Sequence, residues 1–214
     1  MKLRGLYVIT PPNPAPGQDL GELVAAAAAG GARIVQYRNK TGIGEHKREA
    51  RQLLTVCRAH GVPLIVNDDL ELAGEIGADG VHLGQDDADM QEARERLGMA
   101  AIIGVSCHNR LDLALRAQAA GASYVAFGSF YPSATKPLAV AAAPDLLRQA
   151  RNKVRLPLVA IGGITTENGA ALIAAGADML AVINGIFAQP DIRSAAQAFA
   201  RLFPSEVSAD DSIR

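Results

Sequence analysis

The chain has 214 residues, 49% of them hydrophobic, and a formal net charge of −1, which is enough apolar material to fill the core of one compact domain. With a pI near 6.4 it has no global electrostatic footprint for nucleic acid or for an anionic membrane surface, so any anion site must be local. No apolar run approaches the roughly 20 residues of a membrane span, and the run at residues 6–9 is too short for the core of a signal peptide.

Cys57 and Cys107 show neither CxxC spacing nor a neighbouring histidine cluster, which disfavours a disulfide framework or a structural zinc and predicts two buried, reduced thiols. These features predict a soluble cytoplasmic protein without nucleic-acid or membrane partners. The sequence admits a homodimer but contains no pattern that specifies one.

The first apolar run, at residues 6–10, reads as a strand and leads into Thr10-Pro11-Pro12-Asn13-Pro14, a proline-rich loop where a dinucleotide-binding fold would carry glycines. An alanine-rich stretch then ends on Gly31-Ala32-Arg33-Ile34-Val35. This Gly-Ala-x-x-aliphatic pattern recurs as Gly77-Ala78-Asp79-Gly80-Val81, Gly121-Ala122-Ser123-Tyr124-Val125 and Gly176-Ala177-Asp178-Met179-Leu180. A glycine just past a helix takes the left-handed conformation that stops it, and the aliphatic run after it supplies a buried strand, so the motif is a helix-to-strand joint.

Further strand-like runs lie at residues 63–66, 101–105 and 157–161, making eight in all. They are spaced by roughly 20 to 30 residues, room for one helix and two short loops between parallel strands. Eight such units can lie open as a doubly wound sheet, but the repeated joint favours equivalent surroundings all round and hence closure. The prediction is an α/β fold, a single (β/α)8 TIM barrel over residues 1–204, with the polar, acidic residues 205–214 as a flexible tail.

In a parallel barrel the active site lies at the C-terminal ends of the strands. There the second strand ends in Gln36-Tyr37-Arg38-Asn39-Lys40, the third in Asn67-Asp68-Asp69, the fourth in His82-Leu83-Gly84-Gln85-Asp86-Asp87 and the fifth in Ser106-Cys107-His108. The sixth runs into a loop carrying Ser129, Ser133, Thr135 and Lys136, and the seventh ends in Ile161-Gly162-Gly163-Ile164-Thr165. Bare backbone N–H groups there suit a phosphate monoester. Asp68 and Asp87, on adjacent strands, can share one hard cation, and two carboxylates with water and phosphate oxygens form a typical magnesium environment. With Arg38, Lys40 and Lys136 to hold a diphosphate, the pattern reads as metal-assisted departure of pyrophosphate beside a second anion site.

Taken singly, each feature has a plainer reading. Gln36, Arg38 and Lys40 would be one solvent-facing side of a strand end, Asp68 and Asp87 helix N-caps, and Gly162-Gly163 a tight turn. Their convergence on one mouth favours function. Asp69 is expected to cap a helix beginning at Leu70, His82 to be structural, and His46, His60 and His108 to be surface or helix-end residues.

The motifs Gln36-x-Arg38-x-Lys40, Asn67-Asp68, Gly80-x-His82-x-Gly84-Gln85-x-Asp87, Gly104-x-Ser106, Thr135-Lys136 and Ile161-Gly162-Gly163-Ile164 stand in the order of those in the thiamin phosphate synthase (thiamine-phosphate pyrophosphorylase) family, which the chain resembles from Leu6 to about Phe187. The resemblance implies that an aminopyrimidine-methyl diphosphate ionises, its cation is captured by the nitrogen of a thiazole phosphate, and pyrophosphate leaves. It further implies that Gln36 contacts the pyrimidine and Ser106 sits near its reacting carbon. Arg38, Lys40, Asn67 and Lys136 would hold the diphosphate, Asp68 and Asp87 would bind Mg2+, and Ser133, Thr135, Gly163 and the Ile183-Asn184 backbone would receive the thiazole phosphate. Ser106, Lys136 and Arg38 would be the catalytic residues, with Tyr7 and His82 as further pocket candidates.

The chain departs from the family pattern with Ser133 in place of threonine, Asn184 where serine is common and Asp69 where arginine is frequent. Rival readings are a thiazole tautomerase and a regulatory protein that binds thiamin phosphate without turnover. A tautomerase calls for an acid/base group in the sixth loop, where Gly128-Ser129-Phe130-Tyr131 has neither histidine nor carboxylate.

Overall fold

The computed structural model describes residues 3–12, 14, 17–39, 46–85, 87, 89–132 and 141–204. The elements run β1 (Gly5–Ile9), α1 (Leu20–Ala29), β2 (Ala32–Tyr37), α2 (His46–Ala59), β3 (Leu64–Asn67), α3 (Leu70–Ile76), β4 (Gly80–Leu83), α4 (Met90–Leu97), β5 (Ile102–Ser106), α5 (Leu111–Ala119), β6 (Tyr124–Gly128), α6 (Pro144–Arg151), β7 (Leu158–Ile161), α7 (Thr166–Ala174), β8 (Met179–Val182), α8 (Asn184–Phe187) and α9 (Ile192–Ala200). All eight strands pair in parallel and in order, and β8 closes on β1 through pairs such as Leu6 with Leu180. The fold is thus the closed (β/α)8 barrel that the repeat predicts. The tail at residues 205–214 lies outside the described residues.

The strands are apolar on both faces because both are buried. On β1, Leu6 and Val8 pack outward against the helices, while Tyr7 and Ile9 point into the barrel. The same alternation puts Val125 and Phe127 outside and Tyr124 and Ala126 inside on β6. One parity therefore carries the barrel interior, and its continuation past each strand end carries the mouth. Gln36, Asn67, His82 and Ser106 all fall on that parity.

The helix-to-strand joint works as its sequence implies. Gly31, Gly77, Gly121 and Gly176 all take left-handed backbone, with φ of 105°, 67°, 88° and 117°, which glycine adopts without a Cβ penalty. The third residue of the joint has a function the repeat alone does not disclose. Asp79 Oδ2 accepts from the Leu64 N–H at 2.8 Å, Ser123 Oγ from Ile103 N–H at 3.0 Å and Asp178 Oδ2 from Leu158 N–H at 2.8 Å. Each thereby satisfies the otherwise unpaired start of the preceding strand. Arg151 in turn bridges to Asp178.

The short helix α8 leaves no signal in the sequence. Four residues are too few to show a periodicity, and Asn184-Gly185 reads locally as a turn.

Candidate active site

The C-terminal mouth opens into a cavity of about 380 Å3. On one side it is lined by Gln36, Arg38, Asn67 and Ser106, and on the other by Gly163, Ile183 and Asn184. Seven of the residues expected at the site are thus brought to one cavity from β2, β3, β5, β7 and β8, whose pairing around a closed ring is what lets them converge. Lys40, Ser133, Thr135 and Lys136, expected at the same mouth, lie outside the described residues.

Arg38 follows β2 and is half-buried. Burial pulls its guanidinium below the usual value, and the carboxylate of Asp68 partly offsets that. Its backbone is anchored by Thr10, a buried residue at the end of β1: Thr10 Oγ1 accepts from the Arg38 N–H at 2.9 Å. A threonine beside a proline-rich loop gives no sign of a partner 28 residues away.

Asp68 and Asp87 do come together, at the exposed rim on the β3–β4 side of the cavity. Asp68 takes left-handed backbone, φ 63°, and receives the Asn67 side-chain amide at 2.6 Å; aspartate is among the few side chains that tolerate this conformation. Asp87 Oδ2 receives the Gly84 N–H at 2.5 Å. Neither is a helix cap: Asp69, accepting from Leu72 N–H at 2.8 Å, caps α3 as expected, and Asp89, accepting from Glu92 N–H at 2.7 Å, caps α4. The carboxyl groups of Asp68 and Asp87 are within hydrogen-bond reach of one another. Burial first, then Asp87, pushes Asp68 up to about 6 against the pull of Asn67 and Arg38. Among the described residues no three or more His, Cys, Asp or Glu side chains form a metal cluster. Two crowded carboxylates with room for outer oxygens suit a hexacoordinate hard cation that keeps water and phosphate ligands.

On the opposite side, Gly162 and Gly163 have φ of 107° and 58°. A Cβ on Gly163 would stand 2.3 Å from the Pro132 carbonyl oxygen, and one on Gly162 would stand 1.9 Å from Ser129 Oγ. The bare backbone here is therefore required by close approach of the β6 loop as well as by conformation. Beside it Ile183 and Asn184 open α8, whose first turn faces the same cavity. Backbone N–H groups at such a turn favour an anionic oxygen.

The cavity floor is polar where the barrel interior would otherwise be apolar. Gln36 Nε2 donates to Tyr7 OH at 2.7 Å, Tyr7 and Tyr124 hydroxyls meet at 2.7 Å, and His82 joins Tyr124 OH through Nδ1 at 2.9 Å and Ser106 Oγ through Nε2 at 2.9 Å. Burial raises both phenols well above the usual tyrosine range, so both remain protonated. His82 is thus structural, as expected, and also part of the cavity wall. Nothing in the sequence marks Tyr124, which stands at the start of an apolar strand run. His108 is exposed, as expected of a surface residue, and it also stands at the cavity mouth.

Comparison with known proteins adds three findings. The family model described as thiamine monophosphate synthase matches residues 6–186. Thiamine-phosphate synthases of Thioalkalivibrio sulfidiphilus and Thiobacillus denitrificans are 53% and 55% identical, each over 203 residues, covering 94% of this chain and 96% of theirs. The solved structure of a thiamine phosphate pyrophosphorylase from Pyrococcus furiosus superposes with a TM-score of 0.82 at 32% identity, over 94% of this chain and 95% of that one.

Proposed function

This chain belongs to the thiamine monophosphate synthase family, and from that premise we propose that it is a transferase joining 4-amino-2-methyl-5-hydroxymethylpyrimidine diphosphate to 4-methyl-5-(2-hydroxyethyl)thiazole phosphate, or its carboxylated form, to give thiamine phosphate and pyrophosphate. The observation that carries the reading is a single cavity with a cationic, carboxylate-rimmed side and a bare-backbone side, sized for two small substrates in contact.

In this reading Gln36 and Ser106 hold the pyrimidine ring over the barrel axis. Arg38 and Asn67, with Lys40 and Lys136, hold the diphosphate, and Gly163 and the Ile183-Asn184 backbone, with Ser133 and Thr135, receive the thiazole phosphate. The carbon–oxygen bond to the diphosphate breaks with its electron pair leaving on pyrophosphate, and the thiazole nitrogen supplies the pair for the new carbon–nitrogen bond. Arg38 stabilises charge that builds on the leaving oxygens, which is worth most in a cavity shielded from bulk water. Ile9, Ala126, Val159 and Ala181 line the same space and keep water from the reactive pyrimidine-methyl carbon. Asp68 and Asp87 would hold Mg2+, which when bound supplies further neutralisation of the diphosphate. Two buried thiols, Cys57 and Cys107, support a cytoplasmic setting.

The test is pyrophosphate release by the purified protein given both substrates, with magnesium present or chelated. Release that needs both substrates and the metal, with thiamine phosphate formed, is the expected result. Folded protein that binds a substrate but releases no pyrophosphate would refute the assignment.

A further inference from the structure

The hydrogen-bond chain beneath the cavity has a direction. A phenol has one proton to give and room to accept more than one, so the direction of the run Gln36, Tyr7, Tyr124, His82, Ser106 follows from where each buried hydroxyl proton finds an acceptor. Gln36 donates its amide N–H to Tyr7; Tyr7 then gives its proton to Tyr124, and Tyr124 gives its own to His82 Nδ1. A neutral imidazole that accepts at Nδ1 carries its proton on Nε2 and donates it to Ser106 Oγ. Two atoms are left over at the cavity: the Gln36 carbonyl oxygen, an acceptor, and the Ser106 hydroxyl proton, a donor.

The centre of this chain is held rigidly. The Tyr124 ring stacks on His82 with centroids 5.6 Å apart and meets Tyr7 edge-on at 5.7 Å. It occupies the space that a side chain at position 104 would fill, since a Cβ on Gly104 would stand 2.0 Å from Tyr124 Cζ. That explains Gly104-x-Ser106 physically: the glycine admits the Tyr124 ring, and two residues on, at the same inward parity, the serine receives the end of the chain.

We propose that Tyr124 is a positioning and specificity-determining residue, whose hydroxyl fixes the chain's direction so that Gln36 presents an acceptor and Ser106 a donor to the bound ring. The proposal rests on the reading that the pyrimidine lies between those two residues. An acceptor on one side matched with a donor on the other is the complement of an amino group on one edge of the ring and a bare ring nitrogen across from it. The reversed direction would present a donor at Gln36 and an acceptor at Ser106, the complement of a ring carbonyl and an N–H across from it. Tyr124 therefore selects the amino ring over its oxo analogue.

The test pairs a spectrum with a binding ratio. Nitrogen-15 NMR of the imidazoles in the wild-type protein is expected to show His82 protonated on Nε2, and protonation on Nδ1 overturns the proposal whatever the variants do. Calorimetric affinities for the aminopyrimidine diphosphate and its 4-oxo analogue are then compared in wild type and Tyr124→Phe, which keeps the ring and removes the hydroxyl. The preference for the amino ring is expected to fall about tenfold, the scale of one buried hydrogen bond. An unchanged preference in folded Tyr124→Phe also overturns it. Should that variant not fold, the His82 tautomer of the wild-type protein alone decides the proposal. Wild-type protein that makes no thiamine phosphate would sink the activity reading instead, while the His82 tautomer still decides the direction of the chain.

Discussion

Replacing Asp68 by asparagine should destroy the activity and stabilise the metal-free protein. Asparagine keeps the left-handed backbone and an oxygen for the Asn67 amide, so the change removes little besides charge. With its carboxyl raised from 3.8 to about 6, the folded protein binds that proton more tightly than the unfolded chain does. Folding is therefore penalised progressively as pH rises from the unfolded value through about 6, and the penalty is complete above it. Two units would be worth about 3 kcal/mol in a dry interior, but Asp68 sits at an exposed rim, and solvent screening reduces this to about 1 kcal/mol.

In chelator at pH 7.5, Asp68→Asn should thus melt about 3 °C higher than wild type, and the difference should shrink as pH falls and vanish below the unfolded carboxyl value of 3.8. Added magnesium should raise the melting temperature of wild type and leave the variant unmoved, and pyrophosphate release should fall about 100-fold. A variant that is no more stable than wild type in chelator at pH 7.5 would refute the electrostatic argument. Full activity would refute the proposal that Asp68 holds a metal ion.

Two further outcomes follow from the geometry. Gly163→Ala puts a methyl group 2.3 Å from the Pro132 carbonyl at positive φ, so initial-rate kinetics should show KM for the thiazole phosphate raised about tenfold or more, with a smaller change in KM for the pyrimidine diphosphate. Asp178→Ala strips the acceptor from Leu158 N–H and the partner from Arg151 and should cost about 2 kcal/mol in urea unfolding, with Asp178→Asn recovering part of it; equal losses in both would assign the effect to the ion pair.

The sequence by itself determined the architecture and one wall of the site. The Gly-Ala-x-x-aliphatic joint dictates helix stop and strand start wherever it occurs, because only local backbone conformation and local burial are at stake, and its four glycines all take the left-handed backbone expected of them. Period-two alternation likewise carries Gln36, Asn67, His82 and Ser106 to the barrel's inner parity without knowledge of their neighbours. Closure decided what lies across the ring. It pairs β1 with β8 and sets Tyr7 against Tyr124, 117 residues apart, while the register of neighbouring strands seats Tyr124 in the space left by Gly104 and ties Thr10 to Arg38. The capping of α4 by Asp89 rather than by Asp87 also needed the folded chain, since the neighbouring aspartates of that short loop have the same local propensities. Helix stops and strand parity are properties of a few adjacent residues, whereas contact across a barrel depends on the number, tilt and register of all its strands at once.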